Sequence, residues 1–295
     1  MLHNITKRNI QIALGGLWFL DGALQLQHQM FTANFANDVI TPAADGQPRF
    51  ISGPMHFFIH VFLLQPVICN ALIALVQLGL GVLILKKSTA KFGLTASIFW
   101  GLFVWYIGEG LGGLATGQTS LLIGAPGAAL IYAIIALGVL PSAPGDDKDR
   151  SRPAVWLAFV WAILWLGGAV LQFVNGQNTT AELSSMIAGM ADGAPGWLAA
   201  LDIHTASFLQ QHTGNWFIGM LIILQAIVGF CVLMRRRVRT AAIAIGIVVS
   251  LIFWVSGQSC GMYYSGLATD PNTAPLIILL GIAILGTKEI DLEIV

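Results

Sequence analysis

Trp105-Tyr106-Ile107-Gly108-Glu109-Gly110-Leu111-Gly112-Gly113-Leu114-Ala115-Thr116 lies in a long apolar run, and its pattern returns at Trp254-Val255-Ser256-Gly257-Gln258-Ser259-Cys260-Gly261, followed after a short insertion by Gly266-Leu267-Ala268-Thr269. In both copies a Trp is followed by Gly at the third place, a polar residue at the fourth and Gly at the seventh. Glycines four residues apart on an apolar helix let a neighbouring backbone approach closely. A carboxylate beside them is costly in lipid unless it meets a partner or water, so Glu109 marks a candidate site.

The surroundings fit a membrane chain. Hydrophobic residues make up 56% of the 295 and charged residues 9%, a balance that few water-soluble domains reach. Formal net charge is zero, so nothing electrostatic points to nucleic acid as a partner. Cys69, Cys231 and Cys260 are odd in number, far apart and set in apolar sequence. They read as small buried hydrophobes, not as a disulfide framework or a redox pair. Lys7 and Arg8 before an apolar run have the look of a signal peptide, but no A-x-A cleavage site follows and the run has a counterpart in the second half, so it is read as a retained membrane helix.

Working outward, the apolar runs predict spans over about 10–27, 66–85, 92–116 and 121–140, with an interfacial or re-entrant helix over 54–65 that Pro66 separates from the next span. The second half repeats the plan, with an interfacial stretch over 197–212 and spans that include 215–234 and 240–263. Gln172 follows Gln25 by 147 residues and Gln258 follows Glu109 by 149, a small one-way drift that reads as tandem duplication. On the same register Ala274-Pro275 is matched to Ala125-Pro126. The expected fold is an all-α polytopic membrane protein of eight transmembrane helices. Residues 1–140 form one four-helix repeat, 141–153 a charged cytoplasmic linker and 154–295 a second, parallel repeat, each with an extracytoplasmic interfacial helix. Of the 14 Lys and Arg, all but Arg49 fall in alternate loops. The positive-inside rule then places both termini in the cytoplasm of a multi-pass cell-membrane protein.

That topology gathers polar residues at one depth. Asp21, Gln25 and His28 share a helical face, His56 and His60 share another, and Glu109 lies about two turns from the outer end of its span. Repeat 2 aligns Gly168 with Asp21, Gln172 with Gln25, Asn175 with His28, His204 with His56, Phe208 with His60 and Gln258 with Glu109. The acidic members are neutral in the second copy, so repeat 1 is expected to hold the ionisable site. Glu109 and Asp21 are the candidate catalytic residues. His56, His204, Gln25, His28, Gln172 and Gln258 are the candidate cofactor-binding residues. The plain alternatives are hydrogen-bonded packing for the carboxylates and headgroup contact for the histidines. No third ligand keeps register with the histidines in both halves, so no metal set is assigned.

A unit whose first apolar helix ends in Gly22-Ala23-Leu24-Gln25-Leu26-Gln27, followed by an interfacial segment and a Gly-rich third helix, resembles the DoxX/DoxD-like four-helix membrane superfamily. The resemblance spans both halves. It implies a role like that of members that are membrane subunits of quinone-linked oxidoreductases, including thiosulfate:quinone oxidoreductase. The fused duplication and the Trp-x-x-Gly-Glu-x-x-Gly pattern depart from that family, and no catalytic residue is carried over. The expected function is a quinone- or haem-linked membrane redox subunit with an outward-facing polar site. Its partners are the lipid bilayer, a quinone and a membrane or extracytoplasmic redox protein. The alternatives are a small-solute or proton-coupled transporter and a non-catalytic assembly subunit.

Overall fold

Long runs of Leu, Ile, Val, Ala and Phe, punctuated by Gly and Pro, form helices alone, and the described residues contain no strand. A computed structural model of the chain describes residues 5–141, 152–173 and 178–287. Most of the charged linker, Asn175 and Lys288 lie outside the described residues.

In the first half α1 (Lys7–Leu24) is followed by an irregular connection containing the one-turn α2 (Thr41–Ala44). Then come α3 (Arg49–Leu64), α4 (Pro66–Leu85), α5 (Ala90–Ile107) and α6 (Ala128–Gly138). The second half contains α7 (Leu157–Leu171), α8 (Thr180–Gly189), α9 (Gly196–His212), α10 (Trp216–Cys231), α11 (Arg236–Ser256) and α12 (Thr273–Leu285). Thr6 opens α1 in a capping box with Asn9, which satisfies donors that the first turn leaves free. Gln65, at φ −147° and ψ 67°, breaks α3 from α4. α9 and α10 meet at 113°.

α4, α5 and the helix that begins at Arg236 are long and apolar enough to cross a bilayer, and the bent α9–α10 pair adds a fourth if it is one broken span. α6 has 11 residues and α12 has 13, about 16 and 20 Å of helix, short of a hydrocarbon core of about 30 Å. The helical, membrane-compatible character is thus plain, with three to four helices of spanning length among the described residues. Phe57 and Phe99 are each 71% exposed, as part of an apolar exterior suited to lipid contact.

Two expected helices end early. The run predicted to continue to 116 stops at Ile107, and the run predicted to reach 263 stops at Ser256. Left-handed residues cause both breaks: Leu111, Gly112 and Gly113 have φ of 57°, 62° and 71°, and Cys260, Gly261 and Met262 have 52°, 75° and 53°. An α-helix cannot continue through such a triplet, so the Gly-rich stretch is a turn.

The halves correspond in detail. A Cβ on Gly81 of α4 would lie 2.9 Å from Gly15 O and 2.8 Å from Phe19 N of α1. One on Gly229 of α10 would lie 3.1 Å from Ala162 O and 3.0 Å from Leu166 N of α7. Both glycines therefore serve close helix approach, at equivalent places. α6 and α12 are buried on nearly every face and touch each other, as expected of helices apolar all round. They join the two halves through one continuous core that includes Trp18, Tyr132, Trp161 and Trp165.

The basic ends cluster. Arg8 Nη1 donates to Ile84 O at 2.9 Å, Lys7 Nζ donates to Leu140 O at 3.0 Å, and Gly286 packs on Ile5. The start of α1, the ends of α4 and α6, and the end of α12 therefore share one end of the bundle, where cations meet exposed carbonyls.

Candidate functional site

At the end of the bundle away from the basic cluster, α1 turns Trp18, Asp21 and Gln25 inward by i, i+3 and i+4 spacing. All three are buried. Trp18 is fixed twice: its Nε1 donates to Ser97 Oγ of α5 at 2.7 Å, and its ring centroid lies 4.2 Å from that of Tyr132 of α6. The indole thereby sets the face on which Asp21 points.

Glu109 follows the last turn of α5 and is held by the left-handed turn behind it. Trp105 Nε1 donates to Pro126 O at 2.7 Å, and the Ala129 N–H donates to Glu109 Oε1 at 3.0 Å. The carboxylate therefore supports the N-terminal end of α6, where partial positive charge collects. Gly127 leaves room for it, since a Cβ there would collide with Glu109 Oε2. That second oxygen is buried without a protein hydrogen-bond partner.

These groups line a cavity of about 560 Å³. Asp21, Gln25, Gln77, Trp100, Glu109 and Tyr132 contribute to its wall; Gln25, Gln77, Trp100 and Glu109 each leave a buried polar atom without a protein partner, and the Tyr132 hydroxyl faces Asp21. Buried polar groups are normally satisfied, and these border an open space that water or a polar molecule can enter. Phe58, Ile73, Phe103 and Val104, from α3, α4 and α5, form an apolar side, and Phe103 is 43% exposed on the outer surface. The second half closes the cavity with Leu267, Thr269, Asp270 and Thr273. Asp270 is locally satisfied by Thr269 Oγ1 at 2.6 Å and the Asn272 N–H at 2.7 Å. Asp21 is near enough to both Asp270 and Glu109 for their charges to interact. Among the described residues, no Lys, Arg or His lines the cavity.

The equivalent place in the second half is full. Gln258 repeats Glu109's structural task, its Oε1 accepting from the Ala274 N–H at 3.0 Å, and Trp254 repeats Trp105's by donating to Pro271 O at 2.8 Å. These bonds correct the expected match of Ala274-Pro275 with Ala125-Pro126: Pro271 stands where Pro126 does and Ala274 where Ala129 does. Gly117 and Gly266 end the two left-handed turns in the same conformation, so the connection that follows is four residues shorter in the second half. The two connections cross, with Thr273 Oγ1 donating to Gly124 O at 2.6 Å. The longer one inserts Leu121 against Gly168, the residue aligned with Asp21, and Leu122 against Gly257. Gln258 Nε2 donates to Leu121 O at 3.2 Å. The first half's loop thus plugs the second half's site, while the shorter loop borders the first half's cavity without filling it.

Asp21, Gln25 and Glu109 line one cavity. Gln172 and Gln258 are buried in the plugged half. His28, His56 and His204 are exposed and do not line the cavity, nor do the exposed His60 and His212. Among the described residues no group of three or more His, Cys, Asp or Glu is placed to hold a metal ion. Sequence reasoning missed Tyr132, Gln77 and Asp270. The signal available for Gln77 was its pairing with Gln225, 148 residues on and likewise buried. No family model matches this chain, and neither a curated protein nor a solved structure matches it.

Proposed function

We propose that this chain is a multi-pass cell-membrane protein of two parallel four-helix repeats, eight membrane-inserted helical segments in all, with both termini cytoplasmic. Its first repeat binds a quinone-class molecule and exchanges that molecule's protons. One observation carries the reading: a cavity with an apolar side and, within it, four unpartnered polar atoms beside the facing pair Tyr132 and Asp21. Such a space fits an amphipathic ring with opposed oxygens. Phe58, Ile73 and Phe103 would receive the ring, Tyr132 and Trp100 would donate to its oxygens, and Asp21 and Glu109 would accept or return protons. A quinone, when bound, supplies paired electron and proton transfer. The chain's part is to orient it, shield it and handle protons, and the electrons pass to or from a separate membrane or extracytoplasmic redox protein. The resemblance to the DoxX/DoxD-like superfamily points the same way. Haem fits less well, because among the described residues no histidine or cysteine lines the cavity, which leaves Tyr132 and Met262 as the candidate axial ligands.

A second reading, a proton-coupled carrier of a small organic cation, is favoured by four carboxylates, Asp21, Asp38, Glu109 and Asp270, that line the cavity with aromatic rings and, among the described residues, no basic side chain. Mass spectrometry of lipid extracts from the purified protein separates the two. A quinone retained at near one per chain supports the first, and its absence together with saturable binding of an organic cation replaces it with the second.

A further inference from the structure

Glu109 lines a second space as well. A polar pocket of about 320 Å³ lies beside the cavity, with Pro42, Asp45 and Gln118 exposed at its rim. Three residues line both spaces: Glu109, Gly112 and Thr119. Of these only Glu109 has an ionisable side chain. Its Oε1 is committed to α6 while Oε2 is buried without a partner, so one oxygen holds the wall and the other is available for exchange.

We propose that this outer pocket is the water-side port of the cavity, with Glu109 as the residue through which protons pass between bulk water and the bound molecule. The lipid-facing side then admits the ring, and the port carries protons without opening the cavity to solvent. Among the described residues, the charged groups that line these spaces with Glu109 are Asp21, Asp38 and Asp270 on the cavity side and Asp45 on the pocket side. All are acidic, so they favour a proton over any anion at this point. This inference rests on the proton-exchange reading above, but the port itself can be tested separately.

The test uses the purified full chain with Cys69, Cys231 and Cys260 replaced by alanine and Gln118→Cys introduced. A bulky, hydrophilic maleimide on Cys at 118 plugs the pocket, and Asp45→Cys serves as a second plugging site. Glu109 is then labelled with a water-soluble carbodiimide and an amine, and quantified by peptide mass spectrometry with Glu109→Gln as the blank. Decylubiquinone binding is measured on the same samples. The expected result is Glu109 labelling that falls at least tenfold on plugging from either rim position, with decylubiquinone affinity unchanged within twofold. Labelling that survives both plugs overturns the port. Labelling that falls in a protein that never binds decylubiquinone leaves the port standing and removes the quinone reading.

Discussion

Glu109 accepts the Ala129 N–H at 3.0 Å with one carboxylate oxygen and leaves the other buried and unpartnered. An amide oxygen can do the first task, as Gln258 does for Ala274 at 3.0 Å. Glu109→Gln should therefore keep its melting temperature within about 2 °C of the parent. Glu109→Ala should lose about 1–2 kcal/mol of stability through the orphaned helix terminus. Detergent melting curves check both, and a large drop for Glu109→Gln would show that the charge itself is structural.

Leu121 is 2% exposed and occupies the place in the second half that the cavity occupies in the first. Leu121→Ala should cost about 2–5 kcal/mol by leaving a void beside Gly168 and Gln225. A melting temperature unchanged by this substitution would mean that the loop does not act as a plug.

The glycine approaches supply a paired test of the two halves. Gly81→Ala and Gly229→Ala should each destabilise by about 1–3 kcal/mol. Gly81→Ala should cost more, because its nearest backbone atoms are at 2.8 and 2.9 Å against 3.0 and 3.1 Å. A neutral Gly229→Ala beside a damaging Gly81→Ala would deny the halves equivalent packing.

Much of this was legible from residue order. The apolar runs locate the helices, and the Trp-x-x-Gly repeat locates Glu109 and its neutral counterpart. Other features depend on three-dimensional closure. The Gly-rich stretch after Ile107 has the hydropathy of a helix, and only its left-handed residues reveal a turn. Tyr132 sits in a short helix that reads as uniformly apolar, so its role appears once Trp18 packs against it. Asp270 reads as a turn residue in Thr269-Asp270-Pro271-Asn272 and reaches the first half's cavity only because the two loops cross. The exposed histidines show the converse: shared helical faces did not turn them inward.

The proposed orientation puts the basic ends clustered around Arg8 and Ile84 on the cytoplasmic side. Asp45→Cys and Asp192→Cys, both at exposed positions, should react with an impermeant maleimide added to intact cells. Lys86→Cys should react only after lysis. The reverse pattern would invert the protein in the membrane.

The central claim, that Asp21 and Glu109 serve a quinone-class molecule in the first half's cavity, is tested most directly by titrating the purified protein with decylubiquinone. Tryptophan fluorescence reports occupancy, because Trp18 and Trp100 line the cavity. Saturable quenching at one site is expected, weakened about tenfold or more by Asp21→Ala, whose melting curve serves as the control, for the loss of one charge-assisted hydrogen bond worth about 1.5–3 kcal/mol. Quenching that never saturates, or that is unaltered in an Asp21→Ala, Glu109→Gln double variant with a normal melting curve, would contradict the account.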